Sequence, residues 1–114
     1  MTYSKYHAKK VIIDGIKFDS KKEAGRYITL KEKAAAGEIY DLELQKEFLL
    51  IPAQKDPKTG KTIERAVKYR ADFVYRTAAG EEIVEDVKGK KLPEYIIKRK
   101  LMLKVHGIRI HEIM

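Results

Sequence analysis

The sequence contains no cysteine, and this absence excludes disulfide bridges and thiolate metal sites. It also lacks an apolar run approaching the roughly 20 residues that a membrane-spanning helix needs. The first ten residues are polar and basic, unlike a signal peptide, and the chain has no internal repeats or low-complexity tracts. We therefore expect a soluble, cytoplasmic protein with no membrane partner.

Positive charge is what the sequence has in excess. Lys and Arg number 25 against 17 Asp and Glu, which gives a formal net charge of +8. In a small protein, such an excess indicates a polyanionic partner, of which nucleic acid is the usual one. The length of 114 residues is that of one domain. We expect a single domain over 1–114, with an N-terminal hairpin extension over 1–19 and a core over 20–114.

Turn and capping signals divide the chain into strands and helices. Asp14-Gly15, at the centre of an apolar stretch, is typical of a tight hairpin. Ser20 and Glu23 have the capping-box spacing that begins a helix, and Gly37 ends it. Further patterns predict strands over 42–51, 68–76, 82–88 and 108–113, a turn-rich loop over 54–64, and a helix over about 94–106. This order predicts an α/β fold, with a mixed central sheet flanked by helices.

Period-two alternation assigns the side chains of the two central strands to faces. The strand over 68–76 is predicted to have one apolar face, formed by Tyr69, Ala71, Phe73 and Tyr75. Asp72 is predicted to lie on its opposite face. The next strand carries Asp86 and Lys88 together on one face.

The loop between these strands, Ala78-Ala79-Gly80, predicts how they pair. As a three-residue loop it needs a left-handed residue only at its glycine, whereas a two-residue turn would need positive φ at two alanines. The three-residue loop pairs Val74 with Val84 and Asp72 with Asp86. The Cβ atoms of the two acids would then be on the order of 5 Å apart.

Two facing carboxylates repel each other, and a divalent cation is the simplest compensation. No cysteine exists and no histidine has ligand spacing nearby, so the oxygen ligands favour a hard ion such as Mg²⁺ or Mn²⁺. The Lys88 ammonium can steady an attacking water or the charge that grows on a phosphate. The alternative is a solvated hairpin in which Asp86 pairs with Lys88 or Arg70.

These residues resemble the PD-(D/E)XK nuclease superfamily, which has the restriction-endonuclease-like fold. Asp72 matches the first acid of the motif, with Ala71 in place of the proline, and Asp86-Val87-Lys88 matches its second half. Glu23 matches the superfamily's helical glutamate, and the predicted order over 20–113 matches its α-β-β-β-α-β core. The segments 18–23, 69–73 and 86–89 are also similar to small phage-encoded nuclease-like proteins. The likeness implies a phage or prophage protein in a bacterial host.

The resemblance implies an endonuclease that hydrolyses phosphodiester bonds in DNA. Asp72, Asp86 and the backbone carbonyl of Val87 would hold Mg²⁺ or Mn²⁺. Lys88 would orient the nucleophilic water, and Glu23 would reach a second ion or a metal-bound water. Glu23 also has a purely structural interpretation, as the acid of the helix cap.

Basic residues after the second motif strand are predicted phosphate contacts. They are Lys90, Lys91, Lys98 and Arg99. For Lys98 the alternative is a lysine that extends from the edge of the core to solvent. Gln45 is a further, weaker candidate for the flank of the site.

Two other functions fit the same residues. One is a non-catalytic nucleic-acid-binding module that keeps the fold, and the other is a structural phage protein whose charge is incidental. If the protein is a nuclease, its short chain leaves little room for a specificity domain, so we expect it to recognise branched or junction DNA. Cutting two strands takes two sites, which favours a homodimer.

Overall fold

The structure, a computed structural model, describes residues 10–114, and the first nine residues of the predicted N-terminal extension lie outside this range. The predicted hairpin is confirmed: β1 (Val11–Ile13) and β2 (Ile16–Phe18) pair antiparallel. At its turn, Asp14 and Gly15 have φ values of 54° and 77°. Positive φ at both central residues is what a type I′ turn requires.

Helix α1 (Lys21–Ala35) begins and ends where its capping residues predict. The Ser20 hydroxyl accepts a hydrogen bond from the Glu23 backbone N–H at 3.1 Å, which satisfies one of the free donors of the first turn. Gly37 follows the helix directly. The buried face of α1 consists of Glu23, Ala24, Tyr27 and Leu30.

The remaining elements follow in chain order. They are β3 (Ile39–Ile51), β4 (Gln54–Lys55), β5 (Thr62–Glu64), β6 (Val67–Thr77), β7 (Glu82–Val87), α2 (Pro93–Leu101), a π-helical segment (Met102–His106) and β8 (His111–Ile113). The predicted mixed sheet is confirmed, with four strands in the order β3-β6-β7-β8. β6 is antiparallel to both β3 and β7, and β8 is parallel to β7. No helix within residues 10–114 has the length and apolarity that crossing a bilayer takes.

The strand predicted over 42–51 begins earlier, at Ile39, and three further elements differ in detail. The loop over 54–64 contains a small hairpin, in which β4 and β5 pair antiparallel. The second helix starts at Pro93, whose missing N–H is harmless in a first turn, and it widens to π-helical geometry from Met102 onward. The last strand is shorter than predicted because its pairing with β7 begins only at His111, opposite Glu85.

The core consists of two clusters, one on each face of the sheet. The first packs with α2 and contains Phe48, Leu50, Tyr69, Ala71, Val74, Val84, Tyr95, Met102 and Ile110. The second packs with α1 and contains Phe18, Ala24, Tyr27, Leu30, Ile39, Phe73, Tyr75 and Ile83. A sheet covered on both faces needs apolar residues on both, which explains why β6 has so few exposed positions.

The predicted single apolar face of β6 is wrong. Tyr69 and Ala71 belong to the cluster at α2, whereas Phe73 belongs to the cluster at α1. The change of face occurs at Asp72, which lies opposite Gln45 of β3 by the surrounding register. Gln45 has a φ of 57°. Left-handed backbone at a non-glycine residue interrupts the regular alternation of a strand, as a bulge does.

The predicted register of β6 and β7 is confirmed by the pair Val74–Val84. The Thr77 N–H donates to the Glu81 carbonyl at 2.9 Å, which closes the three-residue loop. Gly80 at the end of the loop has a φ of 84°, so it supplies the left-handed residue that the loop needs. The ladder ends at Phe73–Glu85, so the predicted pair of Asp72 with Asp86 lies one position beyond its paired residues and stays a prediction.

Candidate metal and phosphate site

Three carboxyl groups from three elements meet beside the point where β6 and β7 diverge. Glu23 comes from the first turn of α1, Asp72 from the change of face in β6, and Asp86 from the end of β7. Glu23 is 7% exposed and Asp86 is 4% exposed. With Lys88, these are the four residues that the sequence predicted to lie together, and the structure brings them together.

Asp72 is held at the centre of this group. Its Oδ2 accepts a hydrogen bond from the backbone N–H of Val87 at 2.8 Å. Burial raises the pKa of Asp72 to about 7, and the negative charges of Asp86 and Glu23 add to the rise against the opposing effect of the Val87 N–H. Near neutral pH this carboxyl group is therefore poised between its protonated and charged forms.

Glu23 points from α1 toward the same place. Its Oε2 accepts a hydrogen bond from the Gln45 side-chain amide at 3.1 Å. Burial raises the pKa of Glu23, and the charges of Asp19 and Asp86 contribute further. Gln45, whose backbone is left-handed, thus makes a side-chain contact at the site. Strained residues are often found at functional sites. The hydroxyl of Ser20 caps the helix, and the Glu23 carboxylate is engaged by Gln45.

Asp86 has two close partners. Its Oδ1 lies 3.0 Å from Lys88 Nζ, and its Oδ2 accepts a hydrogen bond from the Tyr69 hydroxyl. Lys88 Nζ also lies 3.9 Å from the centroid of the Tyr95 ring, within cation–π range. The Asp86–Lys88 pair of the alternative interpretation therefore exists, but it is largely buried and not part of a solvated hairpin.

A buried ion pair fixes α1 against β7. Arg26 donates to both carboxylate oxygens of Glu85, at 2.8 and 2.6 Å, and the Tyr75 hydroxyl donates to Glu85 as well. Glu85 is only 1% exposed. Burial, followed by the hydrogen bond to Glu85, raises the pKa of Tyr75 to about 12. Arg26 is one helical turn from Glu23 and Glu85 adjoins Asp86, so this pair joins the two elements that carry these acids.

A cavity of about 310 Å³ opens beside Asp86 and Lys88. Its basic lining residues are Arg70, Lys88, Lys90 and Lys98, and its acidic ones are Asp86 and Glu94. Lys98 Nζ lies 3.2 Å from Glu94 Oε2, one helical turn away. Two of the four predicted phosphate contacts, Lys90 and Lys98, thus lie where an anion at the site would be within reach.

The other two predicted phosphate contacts are engaged by Glu112 of β8. Lys91 Nζ and Arg99 Nη1 lie 2.9 and 3.0 Å from its carboxylate oxygens. The Tyr95 hydroxyl donates to Glu112 at 2.7 Å. That hydrogen bond and the two cations lower the pKa of Glu112 to about 2. Glu112 therefore offsets one of the two positive charges of Lys91 and Arg99 within the protein.

The donor groups fit a hard divalent cation by their chemistry, because carboxylate oxygens are its preferred ligands. Their crowding also leaves excess negative charge, which a cation would offset. Among residues 10–114, no three His, Asp or Glu side chains already stand in a metal-binding arrangement. Asp86 is turned toward Lys88 and Tyr69, Asp72 toward the Val87 N–H, and Glu23 toward Gln45. Binding a metal would require some of these contacts to be exchanged.

Comparison with known proteins gives a family. No curated protein and no solved structure matches the chain. The family described as "Protein of unknown function (DUF1064)" matches residues 3–114, almost the entire length. The chain therefore belongs to the DUF1064 family.

Proposed function

We propose that the protein is a metal-dependent endonuclease that hydrolyses phosphodiester bonds in DNA. The observation that carries this proposal is the convergence of two buried acids, Glu23 and Asp86, with the half-buried Asp72 beside Lys88. The order of one helix, three long strands, a second helix and a parallel strand supports a restriction-endonuclease-like core. In that fold, an acid on each of two neighbouring strands and a lysine two residues on form the PD-(D/E)XK motif.

Each residue of the site has its own role in the proposed hydrolysis. Asp72, Asp86 and the backbone carbonyl of Val87 would hold Mg²⁺ or Mn²⁺. When bound, such an ion supplies an activated water and offsets the charge that develops on the phosphate. Lys88 donates hydrogen bonds to the attacking water or to a phosphate oxygen. Glu23, held by Gln45, orients a water at the opposite side of the site.

Lys90 and Lys98 support nucleic acid as the substrate. Both line the cavity that contains Asp86 and Lys88, where phosphates flanking the cleaved bond would lie. Phosphate contacts of this kind position a backbone without reading its sequence. We therefore propose recognition of DNA structure, with branched or junction DNA as the preferred class, and a homodimer when both strands are cut.

The direct test is a panel of linear, flapped and four-way DNA substrates, each incubated with Mg²⁺, Mn²⁺, Ca²⁺ or EDTA. We expect cleavage with Mg²⁺ and Mn²⁺, and none in EDTA, because the acids alone cannot activate water strongly enough. Binding to the panel without cleavage under any of these conditions would contradict the proposal. That result would favour the non-catalytic nucleic-acid-binding module.

A further inference from the structure

A hairpin arm, residues 52–66, extends from the ends of β3 and β6 beyond the four-stranded sheet. It contains β4 and β5, which form a two-stranded sheet of their own. All of its residues are exposed except Asp56 and Ala66, which are half-buried. The arm therefore contributes almost nothing to the core, so its sequence is free to serve an interaction.

The tip of the arm is held in one shape by its own hydrogen bonds. The Asp56 backbone N–H donates to the Lys61 carbonyl, and the Asp56 carbonyl accepts from the Gly60 N–H, both at 2.8 Å. The Asp56 carboxylate accepts from the Lys58 N–H at 2.7 Å. A preformed tip loses little conformational entropy when it binds a partner.

The charges on the arm are mostly positive. Its basic residues are Lys55, Lys58, Lys61 and Arg65, and its acidic residues are Asp56 and Glu64. None of the four basic side chains forms an ion pair with any of residues 10–114. In this respect the arm differs from α2, where Lys98 and Arg99 both pair with acids. The arm thus offers a polyanion more uncompensated charge than the predicted contacts on α2.

We propose that the arm binds duplex DNA by lying in the major groove beside the candidate site. This inference rests on the proposed function for the identity of the polymer. A two-stranded β-ribbon fits the B-DNA major groove, which is about 12 Å wide. The major groove of A-form RNA is too narrow for side chains to read. DNA is therefore the duplex that this shape and charge fit.

The position of the arm defines how far along the duplex it acts. Its root is next to Tyr69, whose hydroxyl contacts Asp86. From Tyr69 to Lys61 an extended strand spans at most about 26 Å, at about 3.3 Å per residue. At about 3.4 Å per base pair, the tip reaches at most roughly eight base pairs from the site. We expect the protein to protect DNA to that distance on the side of the arm.

The test compares two double variants that remove the same charge from exposed positions. Lys58→Gln/Lys61→Gln changes the tip of the arm, and Lys17→Gln/Lys104→Gln is the matched control. Affinity for a duplex of about 30 base pairs is measured in EDTA over a range of salt concentrations. The tip variant should bind at least about tenfold more weakly, and its slope of log affinity against log salt should fall by about 1.8, or 0.9 per lost phosphate contact. The control should remain close to wild type.

Equal losses in the two variants, or wild-type affinity in the tip variant, would overturn the proposal. An equal loss of affinity for duplex RNA would overturn the major-groove placement. Cleavage by the wild-type protein in Mg²⁺ is measured separately. If the tip variant binds more weakly but the wild-type protein does not cleave DNA, only the proposed nuclease activity is contradicted. If the wild-type protein cleaves DNA but the tip variant binds as tightly as wild type, only the proposed role of the arm is contradicted.

Discussion

At the scale of single residues, Asp72 is the carboxyl group whose surroundings most favour a nearby cation. Its pKa is raised to about 7 by burial and by two neighbouring acids. In the unfolded chain the pKa of an aspartate is about 3.9. The folded protein therefore binds a proton at Asp72 more tightly than the unfolded chain does. The stability that this proton contributes is lost as the pH rises from about 4 through about 7.

We predict that the metal-free protein becomes less stable between pH 5 and pH 8, and that Asp72→Asn flattens this dependence. The amide keeps the shape of the carboxyl group but cannot become charged. Thermal unfolding of both proteins across this range is the measurement, and the wild-type midpoint should fall by several degrees more. Added Mg²⁺ should restore the wild type at the alkaline end, because metal binding needs the charged form. Parallel pH curves for the two proteins would contradict this explanation.

Glu85 provides a second prediction, about stability. Glu85→Ala leaves the half-buried Arg26 without its partner, and breaking a buried pair in this way costs about 3 kcal/mol or more. Glu81→Ala is the matched control, since Glu81 is exposed and makes no ion pair with residues 10–114. Urea unfolding gives both free energies. Similar values for the two variants would show that the Arg26–Glu85 pair contributes little.

The site residues show which contacts a sequence can reveal. Asp86 and Lys88 were predictable from alternation along β7, and Asp72 from the loop that sets the register of β6 and β7. Gln45 was predicted only as a weaker candidate for the flank of the site, and neither Tyr69 nor Glu85 was identified as a partner of the site residues. A partial signal existed for Tyr69, because a buried tyrosine hydroxyl usually finds a hydrogen-bond partner. For Glu85 the only signal was an acid between the apolar residues Ile83 and Val87.

At the scale of elements, local signals predicted the helix caps and the β6–β7 register. Both depend on residues that are neighbours in the chain, such as Ser20 with Glu23 or the loop ending at Gly80. The change of face in β6 could not be predicted in this way. It coincides with the left-handed backbone of Gln45, which is on another strand. The small hairpin in the arm was missed because turn residues dominate its sequence.

Two glycine variants test the role of the loop. Gly80→Ala should destabilise the protein by about 1 kcal/mol or more, because Gly80 has a φ of 84° and alanine is strained there. Gly25→Ala should instead stabilise it by up to about 1 kcal/mol. Gly25 lies inside α1, and an added Cβ meets nothing within 4 Å. The two free energies of unfolding should therefore change in opposite directions, and a shared sign would contradict the conformational argument.

At the scale of the whole molecule, composition and element order were sufficient for an α/β domain with a mixed sheet. They did not show that the buried side chains of β6 before Asp72 pack in one core cluster and that Phe73, directly after it, packs in the other. Asp72 therefore lies between the two clusters. The distribution of the net charge of +8 was only partly predictable. Tertiary contacts determine which basic side chains form ion pairs. Glu112 pairs with Lys91 and Arg99, whereas Lys90 lines the cavity.

The central claim is that the clustered acids support metal-dependent cleavage, and Asp86→Asn tests it most directly. A neutral amide is a poor ligand for a hard cation, although it can still accept the hydrogen bond from Tyr69. Glu82→Gln, on the same strand but outside the site, is the matched control. Cleavage of supercoiled DNA in Mg²⁺ is measured for both variants and wild type, with thermal unfolding to verify that each is folded.

We predict that wild type and Glu82→Gln cut at similar rates, and that folded Asp86→Asn is at least about 100-fold slower, a loss of about 2.7 kcal/mol in transition-state stabilisation. A folded Asp86→Asn protein that cuts at the wild-type rate would contradict the account.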